Sequence, residues 1–464
     1  MGDPHMSFEK MLERFQGGAL RPKRFETHYE GEARLDALGI SLPPSARVLE
    51  IQAPFAKMDI DVLTEVLIPS GFILPDKDRD DDIALIRETW QYNNMDSQFN
   101  LAAAEAIAAG LVFWVVAPPD KDHEYATIRA IDAKHGRVRI DYSGKPIEGI
   151  ARYRLPNGKQ GASYYTPDGV TMYEENQSGW AKVAGRKDKW GMSIVPMFNR
   201  ARISDRYGRS DLKELRTVID AASRTLTNLQ IAQEVSALPM RALVGDGAGE
   251  VVKKYADRMQ AYMGTLLALP EGASVTQVSG APLDPFISSY RSYALQVSAM
   301  TGIPPSMMGV ASDNNPTSAE ALRVAKDRLI ARAENKQRQF SDALEEVGRL
   351  IVAMNGGSLE GLQDLEVTWR DAAAPSVSAQ MQAALQAQAQ GVIHEETARE
   401  YMRLTPAQME REAQLSRDIH DMTGMSLGER EEGEPGAGED LPADAQQHQG
   451  VVQAKHFADG KGAF

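Results

Sequence analysis

Cysteine is absent from all 464 residues, which excludes disulfide staples, thiolate metal sites and a cysteine nucleophile, and fits a reducing compartment. No run of about 18 apolar residues occurs. The start also lacks the basic-then-apolar layout of a secretory signal, so synthesis in a cytoplasm and no membrane partner are expected. Basic charge is scarce, with a net charge of −14. A protein that grips DNA without regard to sequence needs clustered Lys and Arg to release phosphate counterions, and that balance is missing. Either nucleic acid is not a partner, or it is touched without being held. On charge alone, plain solubility is the favoured reading.

Signatures of catalysis are missing too. There is no GxxxxGK[ST] phosphate loop and no GxSxG elbow, and His394-Glu395-Glu396 lacks the second histidine of a zinc protease. The chain reads as a non-enzyme, with no catalytic residue, cofactor or metal assigned. The carboxylate-rich run is Asp76, Asp78, Asp80, Asp81 and Asp82. It could hold Mg2+ in a metal-dependent nucleic-acid enzyme. It also lies with Lys77 and Arg79 at a helix start, where acidic side chains complement the helix dipole, and that reading is preferred.

What is present is ordinary for a folded protein: 42% apolar and 25% charged residues. The length implies two or more structural units. Met1–His5 reads as a cloning scar ahead of a native Met6. Residues 7–116 read as mainly helical, with Phe55, Met58, Val62 and Val66, and then Ile83, Ile86 and Trp90, at helical spacing. LVFWVVA, at 111–117, suits a buried strand. From there to about Arg200 the segments TIRAID, RVRIDY, IARYRL, ASYYTP, VTMYEE and WAKVAG alternate, with glycine turns between them. They predict one antiparallel sheet of roughly six strands.

A long helix starts near Ser210 or Asp211, either of which can cap it. Its seam is Leu212, Leu215, Ile219, Ala222, Leu226 and Leu229, and Pro239 ends it. Residues 240–284 read as a compact insertion: a glycine-rich turn at 245–249, a short helix with Lys253, Lys254 and Arg258, and strands in TLLALP and SVTQVS. A second helical seam follows, Phe286, Tyr290, Tyr293, Val297 and Met300, and leads into TGIPPSMMG. A polar loop, Ser312–Pro316, precedes the longest helix. Thr317 and Glu320 form a capping box there. The seam Leu322, Ala325, Leu329, Ala333, Phe340, Leu344, Val347 and Ile351 continues to about Met354, where Asn355-Gly356-Gly357 supplies a stop. LEVTWRD at 365–371 is a further strand. Ser376–Gln390 is an Ala/Gln-rich helix, and two short helices follow. Beyond about Met425 the Glu, Gly, Pro and Gln content predicts disorder.

This order of segments carries local phrases: GFILPD and then WQYNNMD, PMFNR ahead of YGRSDL, and TGIPPSMMG ahead of SAEAL. Together they resemble the portal proteins of long-tailed bacteriophages over roughly residues 25–425. The resemblance implies an α+β portal fold. The wing would take residues 6–208, helices then antiparallel sheet, with a long helix and returning strand at 317–371. Helices at 209–238 and 285–301 would form the stem, 239–284 a small α/β clip, 302–316 a tunnel loop, 372–425 a helical crown and 426–464 an acidic disordered tail.

The resemblance further implies a ring of twelve copies at a capsid vertex, conducting double-stranded DNA during packaging and ejection. The partners it implies are the large terminase, the head–tail adaptor, the scaffold and the major capsid protein. The protein would reside in the virion, and in the host cytoplasm during assembly. Ser312, Asp313, Asn314 and Asn315 would touch the DNA backbone; from the sequence alone an ordinary exposed loop is an equal reading. Arg209, Lys213, Arg216 and Arg224 would form a charged stem face, meeting phosphates or acidic neighbours; a solvated helix face or intersubunit ion pairs is the plainer reading. Lys253, Lys254 and Arg258 would face the motor or the adaptor, or simply solvent. The remaining alternative, another capsid or adaptor component, would have no channel of duplex width.

Overall fold

The computed structural model describes residues 4–18, 20–36, 44–75, 79–237, 241–244, 266–269, 282–310, 319–373 and 377–393, with Ala398, Arg411, Gln414 and Leu415. Helix and sheet are both extensive, so the class is α+β. The chain divides into two units, Met1–Ala374 and Pro375–Phe464.

The first unit opens with helices α1 (Pro4–Gly18), α2 (Leu20–Tyr29) and α3 (Phe55–Glu65), strand β1 (Pro69–Ile73), and a hairpin of α4 (Asp80–Tyr92) and α5 (Met95–Ala109). Asn94 turns the hairpin at φ 51°, a left-handed conformation that Asn tolerates. The apolar run at 111–117 is β2 (Leu111–Ala117). Val112, Trp114 and Val116 pack on the helices, and Phe113, Leu111 and Val115 pack on the opposite side. Successive side chains point to opposite faces, so a strand covered on both sides reads as continuously apolar.

β2 is the middle strand of an antiparallel sheet ordered β3 (Thr127–Ile131), β2, β9 (Ile194–Phe198). The strands β4 (Gly136–Ile140), β5 (Pro146–Arg154), β6 (Gln160–Thr166), β7 (Gly169–Asn176) and β8 (Gly179–Lys187) form a separate five-stranded meander. The single sheet expected from the sequence is therefore two sheets. β3 folds back on β2, with Phe113 opposite Ile131. The chain then crosses to the other layer at Gly136, where a Cβ would lie 2.3 Å from the Phe113 ring. Alternation along a strand looks the same whichever neighbour it pairs with, so the sequence carried no sign of the split.

Within the meander, alternation separates two faces. Ala151 and Tyr165 face the three-stranded sheet. Ile150, Ala162 and Tyr164 face α1, whose Phe8, Met11 and Phe15 are buried against them. Phe8 stacks on Tyr173 with ring centroids 3.8 Å apart.

The long helix α6 (Leu212–Ala237) buries Leu212, Leu215, Ile219 and Ala222. Two buried hydroxyls on it, Ser223 and Thr227, accept hydrogen bonds from the amides of Ala53 (2.9 Å) and Ile51 (3.1 Å). Next come β10 (Arg241–Val244) and β11 (Leu266–Leu269), paired in parallel. β11 falls in TLLALP as expected. β10 falls in RALV, where the sequence pattern suggests no strand. SVTQVS, the glycine-rich turn, Lys253, Lys254, Arg258 and Pro239 lie outside the described residues.

Helix α7 (Asp284–Thr301) packs along α6. The longest helix, α8 (Ala319–Met354), ends where Gly356 takes φ 96° and the Gly357 amide bonds Val352 O. Strand β12 (Glu366–Trp369) returns to pair antiparallel with β1, with Phe72 opposite Val367. Ser312, Asp313, Asn314, Asn315 and Thr317 lie outside the described residues, as do Asp76 and Asp78. In the second unit α9 (Val377–Ala389) matches the Ala/Gln-rich helix. The acidic tail and most of the two short helices lie outside the described residues.

Candidate functional site: a buried ionic junction

Along α8 the buried positions run Leu329, Ala333, Phe340, Leu344 and Val347, and the place between Ala333 and Phe340 is taken by Lys336, 5% exposed. On α3 the apolar seam Phe55, Ala56, Ile60 and Leu63 is interrupted by Asp59, 0% exposed. A charge on a core-facing seam needs a partner, since burying it alone is very costly. These charges find each other. The Arg332 guanidinium grips both oxygens of Asp59, at 2.5 and 3.0 Å. It also donates to Asp211 at 2.7 Å and to Thr301 O at 3.3 Å. Lys336 Nζ bonds Asp211 Oδ1 at 3.0 Å and Asn199 Oδ1. Two cations and two carboxylates leave the cluster neutral.

The loop between β9 and α6 is held for this purpose. Asn199 Nδ2 donates to Arg209 O and to Asp211 Oδ1, both at 2.8 Å. The Asn199 amide bonds Gly110 O at 2.9 Å and the Asp211 amide bonds Ile107 O at 3.1 Å, so the loop is laced to the end of α5. Gly208 sits at φ 79°, and a Cβ there would lie 1.9 Å from Gly110 O. Gly302, at φ 80°, caps α7, and a Cβ there would lie 2.9 Å from Leu329 N. Only glycine accepts both the conformation and the approach. Ser298 Oγ closes the same corner by donating to Ile303 O at 2.6 Å. The phrases noted in the sequence thus meet in space. PMFNR supplies Asn199, YGRSDL supplies Gly208 and Asp211, and TGIPPSMMG supplies Thr301 and Gly302.

Burial pushes the Asp59 carboxyl above its usual range, with Arg332 working against it. Burial also acts to raise Asp211, but Lys336 and Arg332 outweigh it and hold that carboxyl below its usual range. Burial lowers Lys336 despite Asp211 beside it. Arg332, which loses hydration but bonds two carboxylates, is held charged. Such a network offers no proton donor or nucleophile to a substrate. It fixes α3, α6, α7 and α8 to one another.

The expected stem cations are dispersed. Arg209 pairs with Glu214 and, at 3.9 Å, with Asp205. Arg216 pairs with Asp220 at 3.4 Å and with Asp36 at 3.8 Å, and His28 reaches the same Asp220 at 3.1 Å. Arg224 is exposed and interacts within the chain. Lys213 is exposed and has no ion pair among the described residues. Of the aspartate run, Asp80 and Asp81 are exposed in the first turn of α4, and Asp82 is paired with Arg79 at 2.6 Å. Among the described residues no group of three or more His, Asp and Glu could hold a metal ion. The residues that sequence reasoning missed are Asp59, Arg332 and Lys336. Their signal was a charge sitting on an apolar seam.

The junction's part is to hold long helices to one another. Residues 21–418 match the family of phage portal proteins of the SPP1 Gp6-like type, and the chain belongs to that family. It is a head-to-tail connector protein and not an enzyme. The portal protein of Mycobacterium phage D29 is 30% identical over 454 residues, covering 92% of this chain and 91% of that one. The portal protein of Mycobacterium phage L5 is 31% identical over 424 residues, covering 86% and 85%. A chain from the neck of a native gene transfer agent particle, computed with C12 symmetry, aligns over 83% of this chain and 99% of that one, with a TM-score of 0.44 and 16% identity.

Proposed function

We propose that twelve copies form a ring at one capsid vertex and that double-stranded DNA passes through its centre during packaging and ejection. Family membership across residues 21–418 supports this reading. That match is the observation that carries it; within the chain, Arg332 ties the start of α6, through Asp211, and the end of α7, through Thr301 O, to the longest helix. In this reading α6 and α7 are the stem, and 239–284 is the clip that meets the large terminase and later the head–tail adaptor. Residues 302–316 are the tunnel loop, 372–425 the crown, and the scaffold and major capsid protein surround the ring. The anionic chain favours a loop that touches DNA through Ser312, Asp313, Asn314 and Asn315 without gripping it.

Native mass spectrometry and low-resolution imaging of assembled heads test the reading. A closed ring with a central opening of duplex width is expected. A monomer at every concentration and in assembled heads overturns it.

A further inference from the structure

We infer that neighbouring copies of this chain join head to tail, a cleft lined by both apolar and basic side chains on one copy receiving an acidic aromatic knob on the next. This deepens the ring reading and rests on it.

The cleft has a volume of about 920 Å³, and its lining mixes Phe113, Val138 and Phe198 with Asp205, Arg206, Arg209 and Lys213. Arg209 is already engaged by Asp205 and Glu214. Lys213 has no ion pair among the described residues, and the Arg206 guanidinium donates to a backbone carbonyl, Asp141 O. Two positive charges therefore stand in the lining without a carboxylate, on a chain whose net charge is −14. The Arg206–Asp141 bond ties together two turns that carry Ile203, 99% exposed, and Tyr142, 96% exposed. Large apolar side chains exposed beside one another mark a contact surface.

The knob has the complementary chemistry. Tyr92 and Tyr125 lie with ring centroids 5.5 Å apart, and Tyr125 OH donates to Glu88 at 3.1 Å. Tyr92, Glu88 and Glu124 are exposed, and neither glutamate has an ion pair among the described residues. An aromatic pair flanked by two carboxylates without a cation is what a cleft holding apolar side chains and two cations without a carboxylate would take.

The two surfaces lie at opposite ends of one slab. Tyr92 stands just before the first residue of α5, and Ala109, the last residue of α5, lines the cleft. The 15 residues of α5 separate them by about 22 Å. The hairpin β2–β3 runs the same way, with Leu111 lining the cleft and Tyr125 at the far end, just before β3. Two different surfaces at opposite ends make a heterologous contact, the kind that repeats from copy to copy and closes into a ring. Copies carrying −14 each repel one another, so a contact between them gains from opposed charges.

Charge reversal tests the pairing. One variant carries Glu88→Arg and Glu124→Arg, and the other carries Arg206→Glu and Lys213→Glu. All four positions are exposed, so circular dichroism and Tm are expected to match the unmodified chain. Native mass spectrometry should find each variant assembling only at a concentration tenfold or more above that of the unmodified chain. An equimolar mixture of the two should form rings of alternating copies, since every interface then pairs opposite charges again. Chains that had failed to fold could not give that rescue. If the unmodified chain itself forms no oligomer, the ring reading falls. If it does and each variant alone assembles equally well, or the mixture fails to restore rings, the proposed pairing is overturned.

Discussion

At the junction Arg332 holds Asp59 at 2.5 and 3.0 Å, and Asp59 is fully buried. On the outer side of α6, Arg216 meets Asp220 at 3.4 Å and Asp36 at 3.8 Å, and the Asp36 side chain is 93% exposed. The residue types are the same, and only the solvent differs. Water screens the outer pairs and solvates either partner if the other leaves. At the junction Asp59 is fully enclosed and the Arg332 side chain is 19% exposed, so the Asp59 charge depends on Arg332. The outer pairs are therefore dispensable, and the junction is where several elements are locked together.

The largest effect expected from breaking this contrast is at Asp59. Asp59→Ala leaves Arg332 and Lys336 to share Asp211, an excess positive charge in a largely enclosed network, and should cost about 3 kcal/mol in chemical denaturation. Replacing both partners, with Asp59→Leu and Arg332→Met, should return most of that loss, because no charge is then orphaned. If the double replacement is as damaging as the single one, the buried pair is not the source of the effect.

Gly302→Ala attacks the same corner through the backbone. Its φ of 80° and its approach to Leu329 N should make the change cost about 2–3 kcal/mol. A drop in Tm checks it.

Glu105 sharpens the comparison from the other side, because it is a buried carboxylate without a cation of its own. Its Oε1 is buried without a hydrogen-bond partner. Burial, with Glu26 and Asp132 adding to it, pushes its pKa up to about 7. A folded-state pKa above the unfolded one means that the folded state binds the proton more tightly. The associated stability is full below the unfolded value and is lost as pH rises through about 7. Glu105→Gln should therefore flatten the decline in stability toward neutral pH and gain about 1–2 kcal/mol there. Denaturation midpoints across pH 4 to 8 would show an unchanged slope if the account is mistaken.

The smallest effect is expected at the Arg216–Asp220 pair, whose side chains are 27% and 28% exposed. Arg216→Ala should cost less than about 1 kcal/mol and lose even that in high salt. A cost like that at Asp59 would erase the contrast.

Much of the fold was legible because it rests on short-range patterns. The seams of α6 and α7, the stop after Met354, the strand in LEVTWRD and the glycine turns between strands all depend on residues a few positions apart. The junction was legible only in part. Asn199, Gly208, Asp211, Thr301 and Gly302 stood in phrases that the sequence reading singled out. Nothing local tied them to one another or to Asp59 and Lys336, which the sequence reading passed over. Arg209, Lys213, Arg216 and Arg224 were singled out by type and position, but whether each met solvent or a carboxylate depended in part on segments far away in the chain, as Arg216 with Asp36 shows.

The sequence by itself determined the kinds of element, their order, the apolar face of each helix and the scarcity of positive charge, since each of these depends on composition or on near neighbours. Only the tertiary structure decided who meets whom. It put β3 beside β2 rather than in the meander, brought β12 back to β1, and set Arg332 between Asp59 and Asp211. Pairing across such separations follows from where packed layers bring distant segments together, and a local pattern is compatible with several such arrangements.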